Sequence, residues 1–275
     1  MGSVPLHSAS DAQVTDRLVA DVERVGVAAV TGVLDPARLE RLRQQVDAAV
    51  AADAHWLPDD RRATEFGRVL FLPHHDPTFL ELLADPMITA VCDRVLGDDC
   101  TLYTMTTSCA PPGGAGRPLH LDLRHVTPGY VMAMGVMILL DDFTEESGST
   151  RYLPGVREAA PDAATFERDS IRLVAPAGSV SWSDGRLWHD ATPNRTDRWR
   201  RCIILAIVRP FHRQRFDMAR MLSHVDLAAL DEPIRRKLGL GLLAPGSYEE
   251  YYMDPKQRIS SILDATTSAR TRPVA

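Results

Sequence analysis

The stretch YVMAMGVMILL, from Tyr130 to Leu140, decides the fold class. It is almost entirely apolar, as expected for a strand that is covered on both faces. On both sides of it lie short strand-like runs that are separated by glycine and proline. These runs are Thr101 to Cys109, Arg117 to Leu123, Thr150 to Leu153, Ile171 to Val174, Ser179 to Ser183 and Arg200 to Val208. Many short strands at this spacing predict a β-sandwich or barrel.

Helical patterns flank the strand-rich region. Apolar residues at helical spacing predict a helix from Asp11 to Glu23, and a short strand follows from Val25 to Val30. Three Asp-Pro pairs mark helix starts, because Asp caps free amides and Pro suits the first helical position. These pairs are Asp35-Pro36, with a helix to about Ala52, and Asp76-Pro77 and Asp85-Pro86, which start a helical pair that stops near Gly97. Helical periodicity returns at Asp217 to Leu222 and at Leu227 to Leu238.

These patterns predict one domain over residues 1–275. Its parts are a helical N-terminal part (about 11–97), a strand-rich core (about 100–211), a helical C-terminal extension (about 212–253) and a loose tail from about Leu263.

Composition narrows the classes of partner. Hydrophobic residues make up 45% and charged residues 25%, which is typical of a globular protein with a sizeable core. The net charge of -6 provides no excess positive potential, so we expect a small-molecule partner and no nucleic acid. No run of 18 apolar residues and no secretory start occurs, which predicts a cytoplasmic protein without a membrane span. The cysteines lack CxxC-type pairing, which favours a reducing compartment.

A histidine and an aspartate two residues apart on a strand project to the same face, so both can bind one metal ion. The pattern occurs three times, at His74-His75-Asp76, His120-Leu121-Asp122 and His224-Val225-Asp226. The first aspartate precedes a proline and is explained as a helix cap, and the third pair lies in a helical connection after the strands. Position therefore favours His120 and Asp122, which follow a glycine-rich turn in the strand-rich region.

Two further residues complete the candidate site. His189 follows the turn Asp184-Gly185, which would deliver it to the next strand as a third metal ligand. Arg200 precedes an apolar strand. Its planar guanidinium group, with several N–H donors, could bind the distal carboxylate of a dicarboxylic acid. Arg198 and Arg201 compete for this role. Strand alternation places Arg201 on the opposite face and Arg198 in the preceding turn, so the pattern favours Arg200.

Three motifs occur in register: Leu119 to Asp122, Leu140 to Gly155, and Pro176 through His189 to Arg200. In these motifs the sequence resembles the phytanoyl-CoA dioxygenase family of iron(II), 2-oxoglutarate oxygenases, over roughly Val14 to Tyr252. The resemblance implies a double-stranded β-helix (jelly-roll, cupin-like) core with flanking helices. It also implies that His120, Asp122 and His189 bind Fe(II), and that Arg200 binds the far carboxylate of the co-substrate 2-oxoglutarate.

The implied activity is a dioxygenase that uses molecular oxygen to oxidise a C-H bond of a small molecule. Many family members hold the co-substrate with a serine or threonine two residues after the second histidine. That position is Ala191 here, so the hydroxyl candidate is Thr192. Thr106, on a strand expected to line the barrel, is a second candidate. Arg124 and His125, directly after the ligand pair, are candidate pocket residues. Basic residues are almost all arginine, which fits a GC-rich genome and bacterial secondary metabolism.

Two other classes of protein remain open from the residues alone. One is a jelly-roll enzyme of another reaction type, such as a metal-dependent isomerase or a 2-oxoglutarate-independent oxygenase. In such an enzyme Arg200 would have no co-substrate carboxylate to bind. The other is a non-catalytic binding module on the same scaffold. Oxygen-dependent formation of succinate separates the predicted dioxygenase from both.

Overall fold

The computed structural model describes residues 2–57, 67–123, 127–156 and 159–268. Within these ranges two β-sheets pack together, and most helices lie against the outer face of the larger sheet. This is the predicted jelly-roll class, mainly β with flanking helices. The arrangement matters for function because the two sheets carry the candidate site between them.

The larger sheet has six strands, and its centre is the strand that Tyr130 to Leu140 predicts. That strand, β6, is bonded on both sides, although it is shorter than the apolar run. The strands in sheet order are β2 (Leu6–Ser8), β3 (Val27–Thr31), β9 (Val180–Asp184), β6 (Ala133–Leu139), β11 (Cys202–Val208) and β4 (Thr101–Thr107).

The smaller sheet has five short strands and carries two of the predicted metal ligands. In sheet order they are β1 (Gly2–Ser3), β8 (Ile171–Arg172), β7 (Thr150–Tyr152), β10 (His189–Ala191) and β5 (Arg117–His120). In the antiparallel register of β10, His189 lies opposite His120 on one side and Tyr152 on the other. Opposite residues project to the same face, so the register directs all three rings towards the space between the sheets.

The helices begin where the Asp-Pro pairs predict. Asp35 accepts a hydrogen bond from the Arg38 amide, and Asp85 accepts one from the Met87 amide. Asp76 caps a 3-10 helix in place of an α-helix. The α-helices are α1 (Val14–Val25), α2 (Pro36–Asp53), α3 (Leu72–His75), α4 (Pro86–Leu96), α5 (Ala163–Asp169), α6 (Met218–Met221), α7 (Glu232–Lys237), α8 (Tyr248–Tyr252) and α9 (Pro255–Ser268). The 3-10 helices are Ala54–Trp56, Pro77–Leu83 and Leu240–Leu242.

The larger sheet has a separate apolar core on each face. On the outer face, Met134, Trp182 and Leu205 pack against the helices. On the inner face, Leu139 and Cys202 pack with residues that include Phe143 and Tyr152. The alternation of β6 and β11 between these two cores explains why their sequences are apolar throughout.

The prediction of a loose tail from Leu263 is wrong as far as Ser268, because α9 continues to that residue. Ile259 and Leu263 lie four residues apart, on one face of the helix, and both pack against the outer core. The residues after 268 lie outside the described part of the chain. None of the described helices combines the length and the apolar character that a membrane crossing requires.

Candidate metal centre

The structure brings the three predicted metal ligands together. His120 ends β5, Asp122 follows it, and His189 begins β10 directly opposite His120. The centroids of the two imidazole rings are 4.2 Å apart. Oδ1 of Asp122 lies 3.9 Å from Nε2 of His120 and 3.8 Å from Nε2 of His189. All three ligand atoms lie within 4.8 Å of one another, so one ion can contact them all.

Backbone carbonyls orient both imidazoles. Nδ1 of His120 is 2.8 Å from the Pro118 oxygen, and Nδ1 of His189 is 3.0 Å from the Leu187 oxygen. A carbonyl oxygen only accepts hydrogen bonds, so each Nδ1 carries the hydrogen and each Nε2 keeps its lone pair. Burial is the largest cause that lowers the pKa of His120, and the neighbouring His189 is the second. The lowered pKa favours the neutral form of the His120 ring. Two neutral imidazoles and a carboxylate fit a divalent iron.

A glycine in the central strand leaves room beside the carboxylate. A Cβ atom on Gly135 would lie 3.1 Å from Oγ of Ser183 and 4.0 Å from Oδ2 of Asp122. A larger side chain at this position would therefore press on the carboxylate. A single glycine inside an apolar strand is the sequence signal of such a close approach.

Tyr152 supports the second histidine from the inner core. Its ring centroid is 5.7 Å from that of His189, with 28° between the ring planes. Burial raises the pKa of Tyr152 above its ordinary value, although a hydrogen bond with Ser183 opposes the shift. Tyr152 is therefore a neutral phenol that packs against the metal-facing imidazole.

Arg200 has the surroundings of a carboxylate-binding residue. Its side chain is only 4% exposed, and its guanidinium lies 4.5 Å above the Phe143 ring. Nη1 donates to the Gly148 oxygen at 2.6 Å, whereas the buried Nε has no hydrogen-bond partner. No ion pair joins Arg200 to a carboxylate within the described ranges. A buried cation with an unused donor fits the far carboxylate of 2-oxoglutarate.

The two competing arginines point elsewhere. Arg201 is turned outwards, as alternation predicts, and forms ion pairs with Asp47 and Asp141 at 2.7 and 3.1 Å. Arg198 is exposed in the connection before β11.

The two hydroxyl candidates differ in their contacts. Thr106 lies opposite Ile204 in the β4–β11 pair and is 9% exposed. Oγ1 of Thr192 instead accepts hydrogen bonds from the Ser149 amide at 3.0 Å and from Arg172 at 3.4 Å. These contacts fasten Thr192 to the segment that precedes β7, so they give no support to its predicted contact with the co-substrate. The contact of Thr106 with the co-substrate stays a prediction.

The other His-x-Asp pairs have structural roles. Asp76 caps the 3-10 helix Pro77–Leu83, and Asp226 accepts a hydrogen bond from the Ala228 amide at 3.2 Å. His74 and His224 contact each other edge to face, with ring centroids 5.6 Å apart. Across the described ranges, the three-residue cluster at His120 is the one group arranged to hold a metal ion. The predicted pocket residues Arg124 and His125 lie outside the described residues.

A jelly-roll core with two histidines and one carboxylate gathered at one point is typical of non-haem iron oxygenases. Comparison with known proteins supports the same class. The family model for phytanoyl-CoA dioxygenase (PhyH) matches residues 22–202, which is more than half of the chain. The chain therefore belongs to this family. It is an iron(II)- and 2-oxoglutarate-dependent dioxygenase, and Fe(II) and 2-oxoglutarate are its cofactors.

Individual relatives are distant. Uncharacterized protein Rv1501 of Mycobacterium tuberculosis is 29% identical over 86% of this chain and 90% of its own length. Dioxygenase af480 of Aspergillus fumigatus is 32% identical over 50% of this chain and 47% of its own. Among solved structures, EctD from S. alaskensis with 2-oxoglutarate and 5-hydroxyectoine superposes with a TM-score of 0.62 at 21% identity. The match covers 75% of this chain and 80% of EctD. At this identity the likeness to EctD shows the shared fold.

Proposed function

We propose that this chain oxidises a C-H bond of a small molecule, with iron held by His120, Asp122 and His189. In this proposal Arg200 binds the far carboxylate of 2-oxoglutarate. The single observation that carries the proposal is the convergence of the three ligand atoms within 4.8 Å. Both imidazole Nε2 atoms are free for a metal, because both Nδ1 atoms are engaged by backbone carbonyls.

The residues of the site have distinct tasks. Iron with 2-oxoglutarate supplies oxygen activation, coupled to conversion of the 2-oxo acid to succinate and carbon dioxide. His120, Asp122 and His189 would hold the iron through three of its coordination positions, and the remaining positions would be open to 2-oxoglutarate and oxygen. Gly135 leaves space beside Asp122, and Arg200 fixes the far end of the co-substrate. The buried Phe143 and Tyr152 exclude water from the region between the sheets.

The test is reconstitution with Fe(II) under anaerobic conditions, followed by 2-oxoglutarate and oxygen. We expect the chain to bind both cofactors and to form succinate in an oxygen-dependent reaction. His189→Ala and Asp122→Ala should lose iron binding and at least about 99% of this turnover, because each removes one of three ligands.

His224→Ala provides a matched control, since it removes a histidine of a rejected His-x-Asp pair. It should bind iron and form succinate as the unchanged chain does. Absence of iron and 2-oxoglutarate binding in the unchanged chain would contradict the proposal. Iron binding with oxidation that ignores 2-oxoglutarate would favour the 2-oxoglutarate-independent alternative.

We also propose a cytoplasmic role in bacterial secondary metabolism. All four cysteines are free and buried, which suits a reducing compartment. The arginine-rich composition is typical of GC-rich bacterial genomes. Comparison of the metabolites of a producing strain with those of its deletion mutant tests this role. The mutant should accumulate a compound that the purified enzyme oxidises, and an unchanged metabolite profile would count against the role.

A further inference from the structure

Arg117 is brought to the metal-facing side of the smaller sheet by an irregularity in β5. His189 lies opposite His120, but Ala191 lies opposite Arg117, so β5 contains one residue more than β10 between these pairs. Opposite residues share a face, and the bulge therefore places Arg117 on the face of the two histidines. Gly116 permits the close approach of the strands, because a Cβ there would lie 1.9 Å from the Ala191 oxygen.

The charge of Arg117 reaches the same part of the interior as that of Arg200. Cys202 is fully buried in the inner core, between the two sheets. Burial raises the pKa of its thiol, and the charges of Arg200 and then Arg117 are the largest influences that oppose this shift. Both guanidinium groups therefore lie close enough to Cys202, between the two sheets, for their charges to act on its thiol.

Neither guanidinium has an acidic partner there. Arg117 is half-buried, yet it makes no hydrogen bond or ion pair with any residue in the described ranges. Among the described residues, Arg200 contacts the Gly148 carbonyl and the Phe143 ring, neither of which carries a negative charge.

Two other shielded arginines of this chain pair with carboxylates. Arg151 bonds Asp190 and Glu167, both at 2.6 Å, and Arg186 bonds Asp184 at 2.7 Å. Cations that are removed from water are normally paired with an anion. Within the described residues, neither Arg117 nor Arg200 forms an ion pair with a carboxylate, so both cations are available to an anion that enters the space between the sheets.

We propose that Arg117 is a second binding residue for the far carboxylate of 2-oxoglutarate, beside Arg200, and makes the site selective for dicarboxylic 2-oxo acids. This inference rests on the proposed function. A carboxylate has two oxygens and about four acceptor positions, so it can accept hydrogen bonds from both guanidinium groups. Arg117 touches the co-substrate from the smaller sheet, and Arg200 touches it from the larger sheet.

The test compares two 2-oxo acids with the same carbon chain length. The protein, loaded with Mn(II) as a redox-stable substitute for iron, is titrated calorimetrically with 2-oxoglutarate and with 2-oxopentanoate, which lacks the far carboxylate. Arg117→Gln should weaken 2-oxoglutarate binding about tenfold or more. Binding of 2-oxopentanoate should change by less than about twofold, because the contact that is lost does not exist for it. Arg200→Gln should show the same selective loss.

Two further variants keep the test independent of folding. Arg117→Lys keeps the positive charge but lacks the planar guanidinium group. Compared with Arg117→Gln, it should regain part of the preference for 2-oxoglutarate. Arg198→Gln, which changes an exposed arginine near Arg200, should bind both acids as the unchanged chain does. Mn(II) affinity should stay unchanged in every variant.

Equal weakening of both acids in Arg117→Gln would overturn the inference, since a general disturbance of the site would then explain it. Unchanged binding of both acids would overturn it as well. In either case selective loss in Arg200→Gln would leave the proposed function standing. If the unchanged chain bound neither acid, the proposed function itself would be contradicted, and the inference about Arg117 would be contradicted with it.

Discussion

At the scale of single residues, the space beside Asp122 depends on the missing side chain of Gly135. We predict that Gly135→Ala weakens iron binding at least about tenfold and destabilises the fold by only about 1 kcal/mol. The new methyl group would lie 3.1 Å from Oγ of Ser183, so this hydroxyl must shift, and the methyl group would fill the space beside the Asp122 carboxylate, 4.0 Å from its Oδ2. Anaerobic Fe(II) titration and urea denaturation measure the two effects.

Gly241→Ala is the matched control, because a Cβ on Gly241 meets no atom within 4 Å and its backbone is not in the left-handed region. It should bind iron normally. Equal iron affinity in Gly135→Ala and Gly241→Ala would mean that the space beside Asp122 is not needed.

The sequence predicts some of the site's residues and not others, for a physical reason. His120 and Asp122 share a strand face through their spacing alone, and the inward direction of Arg200 follows from simple alternation. Arg117 escapes prediction, because its position depends on a bulge between two strands. Gly135 has a signal in the sequence, a single glycine in an apolar strand, but its neighbour Ser183 follows only from the register between distant strands. The family pattern favours Thr192 as a co-substrate contact. In the structure its hydroxyl instead accepts hydrogen bonds from Ser149 and Arg172.

At the scale of elements, the turn between β9 and β10 holds the segment that carries Asp122. The Leu123 amide donates to the Gly185 oxygen at 3.4 Å, and Nη1 of Arg186 donates to the Thr127 oxygen at 3.0 Å. Arg186 is itself fixed by its buried ion pair with Asp184. The same turn leads directly to His189, so one connection positions ligands from two strands.

We predict that Arg186→Gln destabilises the fold by about 3 kcal/mol, because it leaves the buried Asp184 without its cation. Iron affinity should fall as well, since the segment after Asp122 loses one of its anchors. Arg168→Gln removes an exposed arginine from an ion pair with Asp169, and it should leave the stability of the fold nearly unchanged. Urea denaturation and Fe(II) titration of both variants check this, and equal stability of the two would contradict the anchoring role.

Long elements are easier to predict than short ones. The central strand and the capped helices follow from periodicity and from Asp-Pro pairs, which are local signals. The strands Gly2–Ser3 and Leu6–Ser8 and the helix Ala163–Asp169 are not predicted, since two to seven residues barely establish a period. The polar composition after Leu263 predicts a loose tail, whereas α9 continues to Ser268 and contacts the outer core through Ile259 and Leu263.

At the scale of the whole molecule, Lys237 ties the C-terminal helices to the helical layer that covers the larger sheet. It ends α7 and is 1% exposed. Its Nζ contacts Oδ1 of Asp93, on α4, and lies 3.0 Å from Sγ of Cys100. Burial lowers the pKa of Lys237, but the hydrogen bonds to Asp93 and Cys100 outweigh it and raise the pKa. The ammonium group therefore stays charged inside the protein.

We predict that Lys237→Ala destabilises the fold by about 3 kcal/mol or more, because it leaves Asp93 without its cation and opens a cavity. Lys237→Met, which keeps most of the volume, should recover part of this loss. Lys256→Ala changes the chain's other lysine, which is exposed, and should have little effect. Since α7 packs into the outer core, urea denaturation of each variant should give a single transition, as expected for one domain. A separate early transition in Lys237→Ala would instead show that the C-terminal extension unfolds independently of the jelly roll.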